Sequence, residues 1–334
     1  MPVRSRTALA ICMATRNPRR DLLERQIASI RAQSVTDWRC VISDDGSERR
    51  AIADIESVLG GDRRFELVHG QPAVGFYRNF ERALQLAPAD APLVALADQD
   101  DVWSEHRLER MIPAFESPET ILAVCAMRVV DEAGVVVSDK APFPRRHDLA
   151  AQIAANRVTG AASVFRRELL DVALPFPDLG EAMFHDHWIG CVAAALGTIG
   201  IVDEPLVDYV QHAANVIGYG PSRRVGLAAK VGSVSRGGIG QIRSLLGTWP
   251  AIYERQVLQA KAIGCELERR IGPRAEATRR AVMRRYATID ASWGSFCWLA
   301  ASALRNLAGT PQSERVENTL LRGVIWKRTI GRNA

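Results

Sequence analysis

The chain has 334 residues, of which 47% are hydrophobic and 24% charged, with a formal net charge of +5. That is the composition of an ordinary globular protein, long enough for one large domain or a domain with an extension. No apolar stretch approaches the roughly 20 residues that a spanning helix needs, which excludes an integral membrane protein built on such helices.

Six cysteines (Cys12, Cys40, Cys125, Cys191, Cys265 and Cys297) are scattered without a CxxC pair. Neither a disulfide framework nor a zinc site is expected, and a reducing cytoplasm fits best. The charge is divided. Residues 221–334 hold 20 Lys and Arg against 7 Asp and Glu, while residues 1–220 hold 23 against 31. An acidic body with a basic tail predicts two functional surfaces.

In chain order, "TALAICMAT" is a continuous apolar run, the mark of a strand covered on both faces and not of a signal peptide. "RDLLERQIASIRAQS" sets Leu22, Leu23, Ile27 and Ile30 at helical spacing. "WRCVISDDGS" reads as a strand, "RAIADIESVL" as a helix and "RFELVHG" as a short strand. "FYRNFERALQLA" follows as a helix and "PLVALADQDD" as a strand. This alternation predicts an α/β fold, Rossmann-like, with a mainly parallel sheet and helices on both faces. The rhythm then changes. "ILAVCAMRVVDEAGVVVS" reads as a hairpin turning at Glu132–Gly134, and "RVTGAASVFRRELL" as strand then helix. "HDHWIGCVAAALG" reads as a helix, and "TIGIVDEPLVDYVQH" as a strand pair broken at Pro205. A Gly/Ser-rich link after Gly220 precedes helical segments at about 241–271, 274–289, 291–308 and 312–328. The expected domains are therefore 1–220 and a helical extension, 221–334.

In an open parallel sheet, ligands bind beyond the carboxyl ends of the strands. Three strands end in polar residues: Thr15-Arg16-Asn17, Asp44-Asp45-Gly46-Ser47 and Asp98-Gln99-Asp100-Asp101. Taken singly, the second is an ordinary turn and the third a helix start; together they gather on one rim. Carboxylate oxygens select Mg²⁺, Mn²⁺ or Ca²⁺, and magnesium-like ions are commonly held by one or two carboxylates plus substrate phosphates. The predicted cofactor is a divalent metal carrying a diphosphate. No GxGxxG follows the first strand and no GxxxxGK[ST] occurs, which disfavours a dinucleotide dehydrogenase and a P-loop ATPase.

The series "ATRN", "SDDGS", "GFYRNFERAL", "ADQDDVW", "VTGAASVFRREL", "FHDHW" and "YVQHAANVIG" resembles the inverting nucleotide-sugar glycosyltransferases of family 2, with a GT-A fold. The wording of "DQDDVW", "HDHW" and "QHAANVIG" is similar to their bacterial rhamnosyltransferase-like branch. The resemblance covers residues 7 to about 220 and implies the following roles. Thr15, Asn17 and Asp44 would face the nucleotide, with Asp45 shaping the turn. Gly75, Arg78 and Asn79 would approach the donor sugar or phosphate, although Arg78 reads equally as a solvated helix charge. Asp98 would touch ribose or sugar and Asp100 would take the metal, with Asp101 as the rival ligand. Asp186 would be the general base, drawing a proton from the acceptor hydroxyl, or a helix N-cap, or both. His212, supported by Asn215, would join the metal shell or meet phosphate, or serve as a structural histidine. Thr159 and Gly160 would line the acceptor side, unless Gly160 only permits close packing.

The implied partners are a nucleoside-diphosphate sugar and a glycan or lipid-linked acceptor, in cell-surface polysaccharide synthesis. In the tail, Trp293, Phe296, Ala300, Leu304 and Leu307 fall at three- and four-residue steps, and Trp326 stands beside Lys327 and Arg328. These helices either pack on protein or meet an anionic membrane at the inner face of the cytoplasmic membrane. No nucleic-acid-binding motif is recognisable. The competing function is a non-catalytic module of the same fold that binds nucleotide and localises through its tail. A sugar-phosphate nucleotidyltransferase is a third reading, disfavoured because "ATRNPRRD" lacks the glycines of a triphosphate loop.

Overall fold

A computed structural model of the chain describes residues 9–141, 144, 146–180, 183–212, 248–305 and 315–329. It divides into two compact units: one takes the chain through Gln152 and then Asn156–Val210, the other Ile153–Ala155 and the chain from Gln211 onward.

The first unit is built on one nine-stranded sheet. Strands β1 (Leu9–Thr15), β2 (Trp38–Asp44), β3 (Phe65–His69) and β4 (Leu93–Ala97) alternate with helices α1 (Arg20–Arg31), α2 (Arg49–Leu59) and α3 (Phe76–Gln85). After β4 come the two-residue β5 (Val102–Trp103), the short α4 (Arg107–Met111) and the hairpin β6 (Thr120–Val130) with β7 (Val136–Ser138). Then follow α5 (Leu149–Ala154), β8 (Ser163–Arg166), α6 (Leu170–Ala173), α7 (His185–Leu196) and β9 (Thr198–Val210). The strand order is β3-β2-β1-β4-β8-β6-β9-β5, with β7 on β6.

The alternation expected from the sequence is observed through β4, and β1–β4 pair in parallel. The other half of the sheet is mixed: β8 runs antiparallel to β4 and β6, and β9 parallel to β6. β1 and β4 are buried along almost their whole length, as their unbroken apolar runs require. Leu22, Leu23, Ile27 and Ile30 form the packed stripe of α1, all at most 1% exposed.

The expected break at Pro205 does not occur. β9 is one strand whose pairing with β6 shifts register between Cys125 and Met127, so that Ala126 opposes Pro205. A bulge absorbs the N–H that proline cannot supply, and the strand continues. Asp98–Asp101 do not start a helix either; they form the link from β4 into β5, and α4 begins only at Arg107.

The second unit contains helices α8 (Trp249–Ile252), α9 (Leu258–Ile271), α10 (Ala277–Ala287), α11 (Trp293–Arg305) and α12 (Val316–Thr329), at the helical segments expected. The link at 221–240, Asn215 and Leu307 lie outside the described residues. The apolar face expected on α11 is not the one that packs. Ser295, Leu299, Ser302 and Ala303 are buried, while Trp293 and Leu304 are each 66% exposed.

Candidate active site

The parallel strands bring their carboxyl ends to one rim, and the register aligns Thr15 with Asp44 and Asp44 with His69. Beyond β1 and β2 the side chains of Thr15, Asn17, Asp44 and Asp45 are all hydrogen-bonded. Asp44 is fully buried; its carboxylate accepts from the Thr15 hydroxyl (3.3 Å), the Ser47 amide (2.9 Å) and the Ser47 hydroxyl. Asn17, the one non-glycine residue with positive φ (41°) among those described, is locked between loops. Its amide donates to Ser47 Oγ (2.7 Å) and its Oδ1 accepts from the Glu48 amide (2.8 Å). Asn is among the few residues that tolerate this backbone region.

Asp45 shapes the turn, as one reading allowed, and does more. Its two oxygens accept the amides of Val74 and Gly75, both at 2.8 Å, and fix the entry to α3. Gly75 has φ +83° with open space where a Cβ would stand, so backbone conformation selects glycine there.

Asn79 does not face the rim. It is 2% exposed, and its amide uses all four hydrogen-bonding positions: Oδ1 accepts from Ser43 Oγ and Arg82 Nη2, and Nδ2 donates to the carbonyls of Thr15 and Ser43. It bolts β1 to β2, which corrects the expectation of a donor contact. Arg78 is likewise engaged: Nη1 donates to Glu81 and to the Phe176 carbonyl, both at 2.7 Å. Its part is to tie α3 to the loop before α7.

The other side of the rim differs. Asp98 and Asp100 are half-buried, and Asp101 is 1% exposed. Burial, then repulsion from Asp100 and from Asp186, pushes the Asp98 carboxyl up to about 7. Asp101 is driven upward by burial and by Asp98 and Asp100, with the Val210 amide (3.4 Å) and the Arg107 charge opposing. The influence of Asp186 on Asp98 brings α7 and the end of β4 into one electrostatic neighbourhood.

Asp186 lies in the first turn of α7, one residue inside the helix; Phe184 occupies the cap position, which corrects the N-cap expectation. Oδ1 accepts from Asn156 Nδ2 and the His187 amide (both 2.8 Å), and Oδ2 from the Gly160 amide (3.1 Å). Burial outweighs these donors and raises the carboxyl to about 6. A carboxylate at that value is ionised at neutral pH yet basic enough to accept a proton.

Gly160 belongs to a single 3₁₀ turn before β8 and not to the strand itself. A Cβ on it would stand 2.6 Å from His185 Nε2 and 3.4 Å from Asp186 Cβ, so close packing and presentation of its amide to Asp186 both require glycine. Thr159, just before it, is exposed. His185 stacks on Phe80 at 3.7 Å and burial lowers it to about 3; His187, lowered to about 4, meets the Gln152 carbonyl. Both are neutral, so neither competes with Asp186 as an ionised group.

His212 follows β9 by two residues and falls to the second unit; it is half-buried. Among the described residues there is no group of three His, Cys, Asp or Glu side chains arranged to hold a metal. The donor set on the rim fits a divalent cation in another way: all-oxygen ligands whose mutual repulsion a cation would relieve, with the remaining shell from phosphate and water. Asp100 suits the ligand role better than Asp101, which is buried beside Arg107 and the Val210 amide.

Four residues escaped sequence reasoning. Gln99 accepts the Arg16 amide (2.9 Å) and ties β1 to the acidic loop, and Asn156 holds Asp186. Tyr209 on β9 is held above its usual range by burial and by Asp101, Asp100 and Asp98. Arg107 is fully buried, its guanidinium 3.6 Å over Trp103, with Nη2 donating to the carbonyls of Ala161 and Ser163. Only Arg107 carried a sequence signal, a cation six residues after Asp101.

Known proteins resemble this chain in sequence and in fold. The family described as Glycosyl transferase family 2 matches residues 10–173. An uncharacterized glycosyltransferase of Nostoc sp. is 28% identical over 208 residues; the match spans 58% of this chain and 62% of that protein, less than two thirds of its length. In fold, the chain is similar to Staphylococcus aureus TarS residues 1–349 in complex with UDP-GlcNAc. The TM-score is 0.55 at 14% identity, covering 97% of this chain and 92% of that one. It is also similar to the mannosyltransferase PcManGT of Pyrobaculum calidifontis in complex with GDP-Man and Mn²⁺. There the TM-score is 0.50 at 17% identity, covering 98% and 88%. The sheet with its polar rim is thus a GT-A fold, and residues 10–173 form a glycosyltransferase family 2 domain.

Proposed function

We propose that this protein is a metal-dependent, inverting glycosyltransferase that moves a sugar from a nucleoside diphosphate to a hydroxyl of a glycan or lipid-linked acceptor. The observation that carries the reading is the repulsion Asp98 feels from both Asp100 and Asp186. Carboxylates from a strand end and from a separate helix converge where a cation and a reacting centre would each need one.

Asp186 takes the proton of the acceptor hydroxyl while that oxygen bonds to the anomeric carbon. The bond from that carbon to the diphosphate oxygen breaks, and the nucleoside diphosphate leaves with the electron pair. Asn156, Gly160 and the His187 amide hold the base in place. A divalent ion on Asp100 would neutralise the leaving diphosphate. Asp98 would meet the ribose or the sugar. Thr15, Asn17 and Asp44 would form the nucleotide wall as a rigid unit, Gly75 and Arg78 its flank, and Thr159 with Gly160 the acceptor side.

Rhamnose, by likeness of motif, and the N-acetylglucosamine and mannose nucleotides carried by TarS and PcManGT are the first donors to screen. The test is hydrolysis of a panel of nucleotide sugars with and without Mg²⁺ or Mn²⁺. Metal-dependent release of one nucleotide, lost in Asp100→Ala, is the expected outcome. Binding of nucleotide without turnover of any donor would favour the non-catalytic module.

A further inference from the structure

The outward face of α11 is exposed and apolar. Trp293, Cys297, Ala301 and Leu304, at steps of four, four and three, are all exposed, and no polar side chain interrupts them. The whole of 291–305 contains no Asp or Glu.

The cations around this face differ from the other cations nearby. On α9 and α10, Arg269, Arg270, Arg279, Arg280 and Arg284 are each paired with Glu266, Glu268 or Glu276. Those beside the apolar face have no carboxylate partner among the described residues. Arg328 lies 4.5 Å from the Trp293 ring and 5.2 Å from the Phe296 ring, and donates to the Ser292 carbonyl. Arg285 lies 5.5 Å from the Trp298 ring, and Arg305 at the end of α11 donates to the Ser302 hydroxyl. An apolar stripe with a large exposed Trp and guanidinium groups at its rim is complementary to an anionic lipid surface, where Trp sits at the headgroups and Arg meets phosphate. A protein partner would need to bring both an apolar groove and acids to the rim. No helix among the described residues is long and apolar enough to cross a membrane, so contact would be with the surface.

We infer that the Trp293–Leu304 face of α11, with Arg285, Arg305 and Arg328 at its rim, docks this protein on an anionic bilayer. The inference deepens the proposed function, since it would bring the enzyme to a lipid-linked acceptor, but its test does not depend on catalysis.

The experiment is co-sedimentation of the full chain with phosphatidylcholine vesicles, with and without phosphatidylglycerol. Wild type should pellet with the anionic vesicles and much less with neutral ones, and added salt should release it. The double variant Trp293→Ser, Leu304→Ser should bind about tenfold more weakly, with unchanged helix content and unchanged hydrolysis of whichever donor the wild type accepts. Arg305→Gln should weaken only the anionic arm, and serves if the double variant does not fold. Equal binding of wild type and folded variants, or no preference for anionic lipid, would overturn the proposal. So would a wild-type dimer that the double variant converts to monomer in analytical ultracentrifugation, because a second copy would then cover the face. Loss of donor turnover in Asp186→Asn with lipid binding intact separates this proposal from the catalytic one.

Discussion

The two sides of the strand-end rim solve opposite problems. Beyond β1 and β2, Asp44 and Asp45 accept hydrogen bonds from neighbouring loop amides, Asn17 joins two loops, and Asn79 ties β1 to β2. Beyond β4 and at α7, Asp98, Asp101 and Asp186 are all pushed upward, chiefly by burial; the charges of Asp100 and Asp186 add to it at Asp98, and those of Asp98 and Asp100 at Asp101. One side is finished as a wall; the other stores electrostatic cost that a cation and a proton transfer would relieve. Acidity in the sequence is the same on both sides, so the difference comes from the donors that surround each carboxylate.

The largest break in this contrast should come from Asp186. Asp186→Asn is expected to lower kcat by about 10³-fold or more, with nucleoside diphosphate affinity preserved in a calorimetric titration; unchanged kcat would remove the base assignment. In the wild type, protonation of the base below its raised value of about 6 should cost activity, so kcat/KM should climb with pH up to that region and then level off. The sign is fixed because a base works only when deprotonated. A profile that falls with rising pH across the same range would contradict it.

Gly160→Ala comes next. The added Cβ meets His185 Nε2 at 2.6 Å, and displacement of either residue moves the amide that holds Asp186. We expect kcat to fall by about 10- to 100-fold while the variant remains folded by circular dichroism. On the wall side the effects should invert, with stability lost before chemistry. Asn79→Ala strips a buried bolt of four hydrogen bonds and should cost about 2–3 kcal/mol, read as a lowered urea midpoint. Ser47→Ala removes one donor from Asp44 and should cost about 1 kcal/mol with kcat within about twofold of wild type. A larger catalytic loss than stability loss in either wall variant would show that the wall takes part in the reaction more directly than its bonding implies.

Much of the first half was legible because its signals are local. The apolar runs of β1 and β4 and the helical spacing of Leu22, Leu23, Ile27 and Ile30 depend on neighbours within one or two turns, and the acidic ends of the strands stand in the sequence itself. The strand pair expected around Pro205 failed for the opposite reason: whether a proline ends a strand depends on the partner strand, and β6 accommodates it with a bulge. The role of Asn79 was equally hidden. "RNFERAL" reads as a polar helix entry, and only the approach of β1 and β2 behind it turns the amide into a bolt. On α11 the three- and four-residue spacing announced an amphipathic helix, but spacing does not say which face meets protein.

By itself, the amino-acid order determined the alternating architecture, the three polar strand ends and the order of motifs that marks the family, since each is written in short runs whose periodicity and side-chain chemistry need no distant partner. Tertiary structure alone decided which carboxylates are satisfied and which repel, that Asn156 and the Gly160 amide hold Asp186, and that Arg107 lies buried beneath the acidic loop. Those outcomes depend on groups about thirty to more than a hundred residues apart meeting at hydrogen-bond distance, and burial sets their strength; neither quantity exists until the chain has folded.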